Sequence, residues 1–236
     1  MEEDIKIPLG QGKFAYGTLR TKSISSLIIF VHGFTGHKNE HIFFNGARFF
    51  EKHNLASFRF DLYAEAKDAR KLNDSTLTLH AKDLDTVVDY FKKRYAKIFV
   101  AGHSFGGITV LLSQKQAFNK AILWDPSPNP KEITGKARYL KEIDKYYLNE
   151  WGVATTIGKE MFEQNNSLNT HKLFKNFHVP IKIIAAGNGI LVDSGKKYFE
   201  NANKPKSFAI VNNATHCFDE DGTEEKLFQE TYDWIK

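Results

Sequence analysis

The sequence predicts an α/β fold in which a mainly parallel sheet is covered by helices on both faces. Three observations carry that expectation. Short β-rich runs alternate with helix-period stretches along almost the whole chain. Four of those runs are near-continuously apolar, as strands buried on both faces are. The length, 236 residues, suits one domain with a large core better than two. A single domain is therefore expected over residues 1–236.

In chain order, Phe14 to Arg20 reads as an early edge strand and Leu27 to Val31 as a buried one. Ala56 to Phe60, Lys97 to Ala101, Ala121 to Trp124, Ile181 to Ala186 and Ser207 to Val211 follow as further strands. Between them Leu84, Val87, Val88, Phe91 and Tyr95 recur at helical spacing, with Asp83, Asp85, Asp89 and Lys92 on the opposite face. Ile108 to Ala117 reads as a second helix and Glu224 to Ile235 as a terminal one. The stretch at about 126–178 breaks the alternation. It holds Tyr139, Tyr146, Tyr147, Trp151 and Phe162 among charged residues, without a convincing strand. A connection that long in a compact domain usually serves function, and a helical cap inserted after the sixth strand is expected.

Lys and Arg number 33 against 28 Asp and Glu, but the basic residues are scattered, which argues against a nucleic-acid partner. The longest purely apolar run, Leu27 to Val31, is far short of the roughly 18 residues a membrane helix needs. The acidic start Met1-Glu2-Glu3-Asp4 is unlike a signal peptide, so no membrane partner and a cytoplasmic location are expected. The single Cys217 agrees with a reducing compartment; beside His216 it reads as a small apolar filler rather than a reactive thiol. His37 and His41 stand four apart, but Lys38 follows His37 where a zinc-protease pattern needs Glu, and no third ligand is evident. Neither a metal nor a cofactor is expected.

Chemistry concentrates in three places. Gly102-His103-Ser104-Phe105-Gly106 follows the strand ending at Ala101 and opens a helical stretch, the strand-turn-helix context of a nucleophile elbow. The turn holds Ser104 in strained backbone geometry, and only glycine fits on either side. A serine hydroxyl needs a base. His216, after the last strand and before the terminal helix, is placed to be that base. His32-Gly33-Phe34-Thr35-Gly36 follows the buried strand ending at Val31, where a turn can aim N–H groups at a developing oxyanion. The backbone N–H groups of Phe34 and Phe105 are assigned to that hole.

On these residues the chain resembles the α/β-hydrolase fold family, and within it the small esterases of the cinnamoyl or feruloyl type. The resemblance is densest in Ile29 to Gly36, Ala56 to Asp61, Val100 to Gly107 and around His216. It implies a cofactor-free carboxylesterase acting on a small-molecule ester. Such relatives carry their triad acid in a Gly-x-x-Asp turn after the penultimate strand. Here that strand runs into Gly187-Asn188-Gly189-Ile190-Leu191-Val192, without the Asp.

Two candidates remain. Asp125, at the end of the preceding strand in Trp124-Asp125-Pro126-Ser127, is preferred, because some lipases of this fold draw their acid from that position. Asp193 reads better as the start of a helix. A second departure follows Asp61, where relatives often carry a glycine-rich loop and this chain has Leu62-Tyr63-Ala64-Glu65. It leaves the substrate pocket open. The expected activity is hydrolysis of esters or thioesters of small acyl groups through Ser104, His216 and Asp125. The missing Asp also motivates a rival reading, a non-catalytic small-molecule-binding member of the fold.

Overall fold

The computed structural model describes residues 2–21, 25–150 and 153–236. Its strands and helices run β1 (Glu2–Gly10), β2 (Lys13–Arg20), β3 (Ser26–Val31), α1 (His41–Lys52), β4 (Ala56–Asp61), α2 (Leu77–Lys92), β5 (Lys97–His103), α3 (Phe105–Leu111) and β6 (Lys120–Trp124). An insert follows: α4 (Lys131–Thr134), β7 (Arg138–Leu140), β8 (Lys145–Glu150), β9 (Val153–Ile157), α5 (Lys159–Ser167) and α6 (Thr170–Leu173). The chain closes with β10 (Ile181–Ala186), α7 (Val192–Asn201), β11 (Lys206–Val211) and α8 (Thr223–Ile235).

The main sheet has the order β1-β2-β4-β3-β5-β6-β10-β11. β1, β2 and β4 pair antiparallel, and every later pairing is parallel. Alternation along β3 shows why the sheet needs two covered faces. Leu27, Ile29 and Val31 point into one core, shared with Leu84, Val87, Val88 and Phe91 of α2. Ile28 and Phe30 point into another, shared with Phe43 and Phe50 of α1 and Leu227 and Phe228 of α8. Each such side chain taken fully from water stabilises the fold by about 1.5–3 kcal/mol. Trp124, wholly buried, lies 5.5 Å from the Phe30 ring, and its indole N–H donates to Thr231 Oγ1 at 2.9 Å. That bond keeps a polar group from being stranded in the core.

Three elements differ from expectation. The second helix ends at Leu111 rather than Ala117. The carboxylate of Asp85 on α2 accepts from Ser113 Oγ at 2.5 Å and from the backbone N–H groups of Gln114 and Lys115 at 3.1 and 3.2 Å. Donors that would continue the helix are thereby diverted. The acidic opening forms strand β1, which takes the sheet edge expected of Phe14 to Arg20 and leaves β2 between β1 and β4. Ile5, Ile7 and Leu9 alternate with the exposed Asp4, Lys6 and Pro8, so one face meets the core while the charges stay in water.

The insert is the third. It is not wholly helical: β7, β8 and β9 make a separate antiparallel sheet. Its Tyr and Thr residues suit a half-buried pleated surface, and the charged residues among them hide the strand signal. Tyr146 stacks on Phe162 of α5, with ring centroids 3.7 Å apart, whereas Trp151 lies outside the described residues. Leu148, Ile157 and Met161 bury themselves against Leu77, Phe105 and Ile108, which seats the insert on the start of α3. Among the described residues no helix is long and apolar enough to cross a membrane.

Candidate active site

Strand β5 delivers Ser104 into a turn so tight that its φ is +55°, a region L-residues with side chains rarely occupy. The glycines around it are required by space. A Cβ on Gly102 would come 2.5 Å from the Gly106 carbonyl oxygen, and one on Gly106 would overlap the Val31 carbonyl. Gly33, in the turn after β3, approaches so closely that a Cβ there would stand 3.1 Å from Ser104 Cβ. The parallel pairing of β3 with β5 therefore brings the two motifs together.

The Ser104 hydroxyl lies 2.9 Å from Nε2 of His216, and His216 Nδ1 lies 2.6 Å from Oδ2 of Asp125. Asp125 is fully buried, and its other oxygen accepts the Ala186 N–H at 3.0 Å. A buried carboxylate needs such donors to offset its lost hydration. Because the carboxylate can only accept, the His216 proton sits on Nδ1 and Nε2 is left as the acceptor facing Ser104. Asp193, by contrast, sits in the first turn of α7, largely exposed, and pairs with Lys196 at 3.1 Å. The loop after β10 packs against Asp125. A Cβ on Gly189 would be 3.5 Å from Asp125 Oδ2.

Two buried histidines brace the site without carrying charge. His103 donates from Nε2 to the His216 carbonyl at 2.9 Å, and burial first, then repulsion whenever the neighbouring His216 is protonated, lowers its pKa to about 3. His32 donates from Nδ1 to the Gly33 carbonyl and accepts the Leu62 N–H at Nε2. Burial lowers its pKa to about 4. Tyr63 donates to the same Gly33 carbonyl at 3.4 Å. The segment after Asp61 thus supports the turn that holds Phe34. Among the described residues the N–H groups of Phe34 and Phe105 find no carbonyl acceptor, although those of Gly36, Ser104 and Gly107 do. Phe105 begins α3, where an N–H has no partner within the helix.

One residue near Ser104 is not singled out by the sequence. Ser127 Oγ lies 2.9 Å from Ser104 Oγ, with Ser127 only 3% exposed. Its spacing from Ser104 signals nothing; the positive φ of Asp125, +39°, helps turn the chain back toward the elbow. A cleft of about 430 Å³ opens beside the Phe34 turn, lined by Thr35, Tyr63, Lys71 and Asn73 and by Thr155 and Thr156 of β9. His41, read as a possible metal ligand and set aside, bonds Asp219 and Glu224. Among the described residues no cluster of three His, Cys, Asp or Glu is placed to hold a metal.

None of the curated proteins compared with the chain matches it. Solved structures do. Est1E from Butyrivibrio proteoclasticus, solved with ferulic acid bound, is 21% identical with a TM-score of 0.82, covering 98% of this chain and 99% of its own. The alpha/beta hydrolase GrgF from Penicillium sp. sh18 is 18% identical with a TM-score of 0.83, covering 100% and 98%. The esterase domain of a Rhodothermus marinus protein is 17% identical with a TM-score of 0.77, covering 99% and 97%. At these identities the likeness is one of fold. A family model described as the alpha/beta hydrolase family matches residues 28–179, from strand β3 through the elbow and the insert. With more than half of the chain so matched, the protein belongs to the alpha/beta hydrolase family.

Proposed function

We propose that the protein is a serine hydrolase that cleaves carboxylic esters or thioesters of small acyl groups through an acyl-enzyme. The observation that carries this reading is the unbroken hydrogen-bonded line from Asp125 through His216 to Ser104. In the proposed reaction Ser104 Oγ attacks the carbonyl carbon while its proton passes to His216 Nε2. Asp125 holds the ring and stabilises the imidazolium. The Phe34 and Phe105 N–H groups take the oxyanion. His216 then returns the proton to the leaving alcohol, or thiol, and water repeats the sequence to release the acid.

His103 suits this scheme because its ring, 4.7 Å from that of His216, stays neutral and does not oppose the imidazolium. The insert over about 126–178, resting on Phe105 and Ile108, is read as the cap of a single domain, with the cleft beside Thr35 as an entry for substrate. The Est1E complex with ferulic acid supports a small carboxylic acid as the released product. A cytoplasmic location belongs to the same reading. The binding-only alternative rests on the missing Asp after β10; the 2.6 Å contact between Asp125 and His216 supports the catalytic reading over it.

Intact mass after incubation with a fluorophosphonate tests the proposal without requiring the natural ester. Wild type is expected to gain one adduct and Ser104→Ala none. A folded wild type that stays unlabelled overturns the reading, as does unchanged ester turnover in the purified variant.

A further inference from the structure

Resting on the serine-hydrolase reading above, we infer that Ser127 is a further catalytic residue whose hydroxyl donates a hydrogen bond to the Ser104 oxygen during both halves of the reaction. The direction of that bond follows from its neighbours. Asp125 fixes the His216 proton on Nδ1, so Nε2 accepts from Ser104, and Ser104 has only one proton to give. At 2.9 Å the Ser127 hydroxyl then supplies the donor and Ser104 Oγ accepts. The result is a directed chain from Ser127 to Ser104 to His216 to Asp125.

Ser127 is held for this task from both sides of its peptide. Its N–H donates to the Ser104 carbonyl at 3.3 Å, and its own carbonyl accepts from the Tyr198 hydroxyl at 2.6 Å. Tyr198 is wholly buried on α7, so the anchor is set in the core and not in a loop. Among the described residues Ser104 Oγ is the one side-chain partner of the Ser127 hydroxyl.

The chemistry places charge where this donor points. In acylation the Ser104 O–H bond breaks as the O–C bond to the acyl carbon forms, and negative charge gathers on Oγ until that bond is complete. In deacylation the same O–C bond breaks, and Oγ carries charge until His216 protonates it. A donor aimed at Oγ stabilises both moments. The Ser127 proton stays on Ser127 throughout, and no bond to it is made or broken. The donor also fixes the Ser104 rotamer between two partners, which removes idle orientations.

The test compares wild type with Ser127→Ala, using p-nitrophenyl acetate for kcat and KM and a fluorophosphonate for the labelling rate of Ser104, with active sites counted by exhaustive labelling. Loss of one donor to a charged oxygen predicts a fall of about tenfold in kcat and in labelling rate, with KM within about twofold of wild type. Unchanged kcat and labelling rate overturn the role of Ser127 while leaving Ser104 as the nucleophile. A raised KM with unchanged labelling overturns it too, because Ser127 would then be a substrate contact. A wild type that is not labelled overturns both this inference and the reading beneath it. Because the counting refers every rate to competent sites, a loss of folded protein cannot mimic the effect.

Discussion

Oδ2 of Asp125 lies 2.6 Å from Nδ1 of His216, across 91 residues of chain, and Gly189 fits against the same oxygen. Asp125 follows the last residue of β6; the final residue of β10 gives it the Ala186 N–H, and the loop after β10 leaves it space. Replacing Asp125 by Asn should keep the shape and lose the acceptor that fixes the His216 proton. A fall in kcat/KM on the order of 10³–10⁴ is expected, the scale seen for the equivalent change in serine proteases. Asp193→Asn should stay within about twofold. The reverse ranking in an ester assay would move the acid to Asp193.

The elbow makes a prediction about stability. A methyl group on Gly106 meets the Val31 and His32 carbonyl oxygens, both backbone and neither able to swing aside. Gly106→Ala should therefore destabilise the fold by more than about 3 kcal/mol. At this chain length that corresponds to a drop in Tm of about 6–12 °C. Thermal unfolding within 2 °C of wild type would show that strand and helix can part without cost.

Buried histidines make the fold sensitive to acid. His80 has neither ring nitrogen hydrogen-bonded, and burial lowers its pKa to about 3, against 6.5 unburied. His32 and His103 are lowered in the same way, to about 4 and about 3. For each, the unfolded chain takes up a proton that the folded one refuses. Stability is thus complete above about pH 6.5 and is lost as the pH falls toward the folded values. Glu40, Asp61 and Asp83, whose carboxyls burial raises, act in the opposite sense. His80→Leu isolates one contribution: between pH 6.0 and 5.0 wild type should lose about 1 kcal/mol more than the variant. Urea unfolding at the two pH values measures this, and an equal loss in both proteins would contradict it.

Cys217 neighbours His216 in sequence, yet its surroundings oppose a thiolate. Cys217 is exposed and so does not act as the apolar filler expected from the sequence; desolvation of its sulfur raises its pKa above the ordinary value, and the carboxylates of Asp219, Glu40, Asp125 and Glu220 add to the effect. Alkylation by iodoacetamide should accordingly be slow at pH 7 and climb only above about pH 9. Cys217→Ser should retain activity within about twofold. Rapid modification at neutral pH, followed by mass spectrometry, would show an activated thiol instead.

What the sequence by itself determined is what a few adjacent residues can enforce. The run from Val100 to Gly107 favours strand, tight turn and helix because no side chain fits at Gly102, where a Cβ would meet the Gly106 carbonyl. Apolar runs such as Leu27 to Val31 can only be strands covered on both faces. His216 follows from its place after the last strand of that pattern. Tertiary structure decided the rest, because the deciding partner lies far along the chain. Asp85 ends α3 from 28 residues away. The insert folds as a sheet because Tyr146 finds Phe162 and Leu148 finds Phe105. The sheet order brings Asp125 and not Asp193 within a hydrogen bond of His216, and Ser127 reaches Ser104 because β6 lies beside β5. Local sterics can be read from neighbouring letters, whereas a hydrogen bond between distant segments exists only once the whole sheet has set its register.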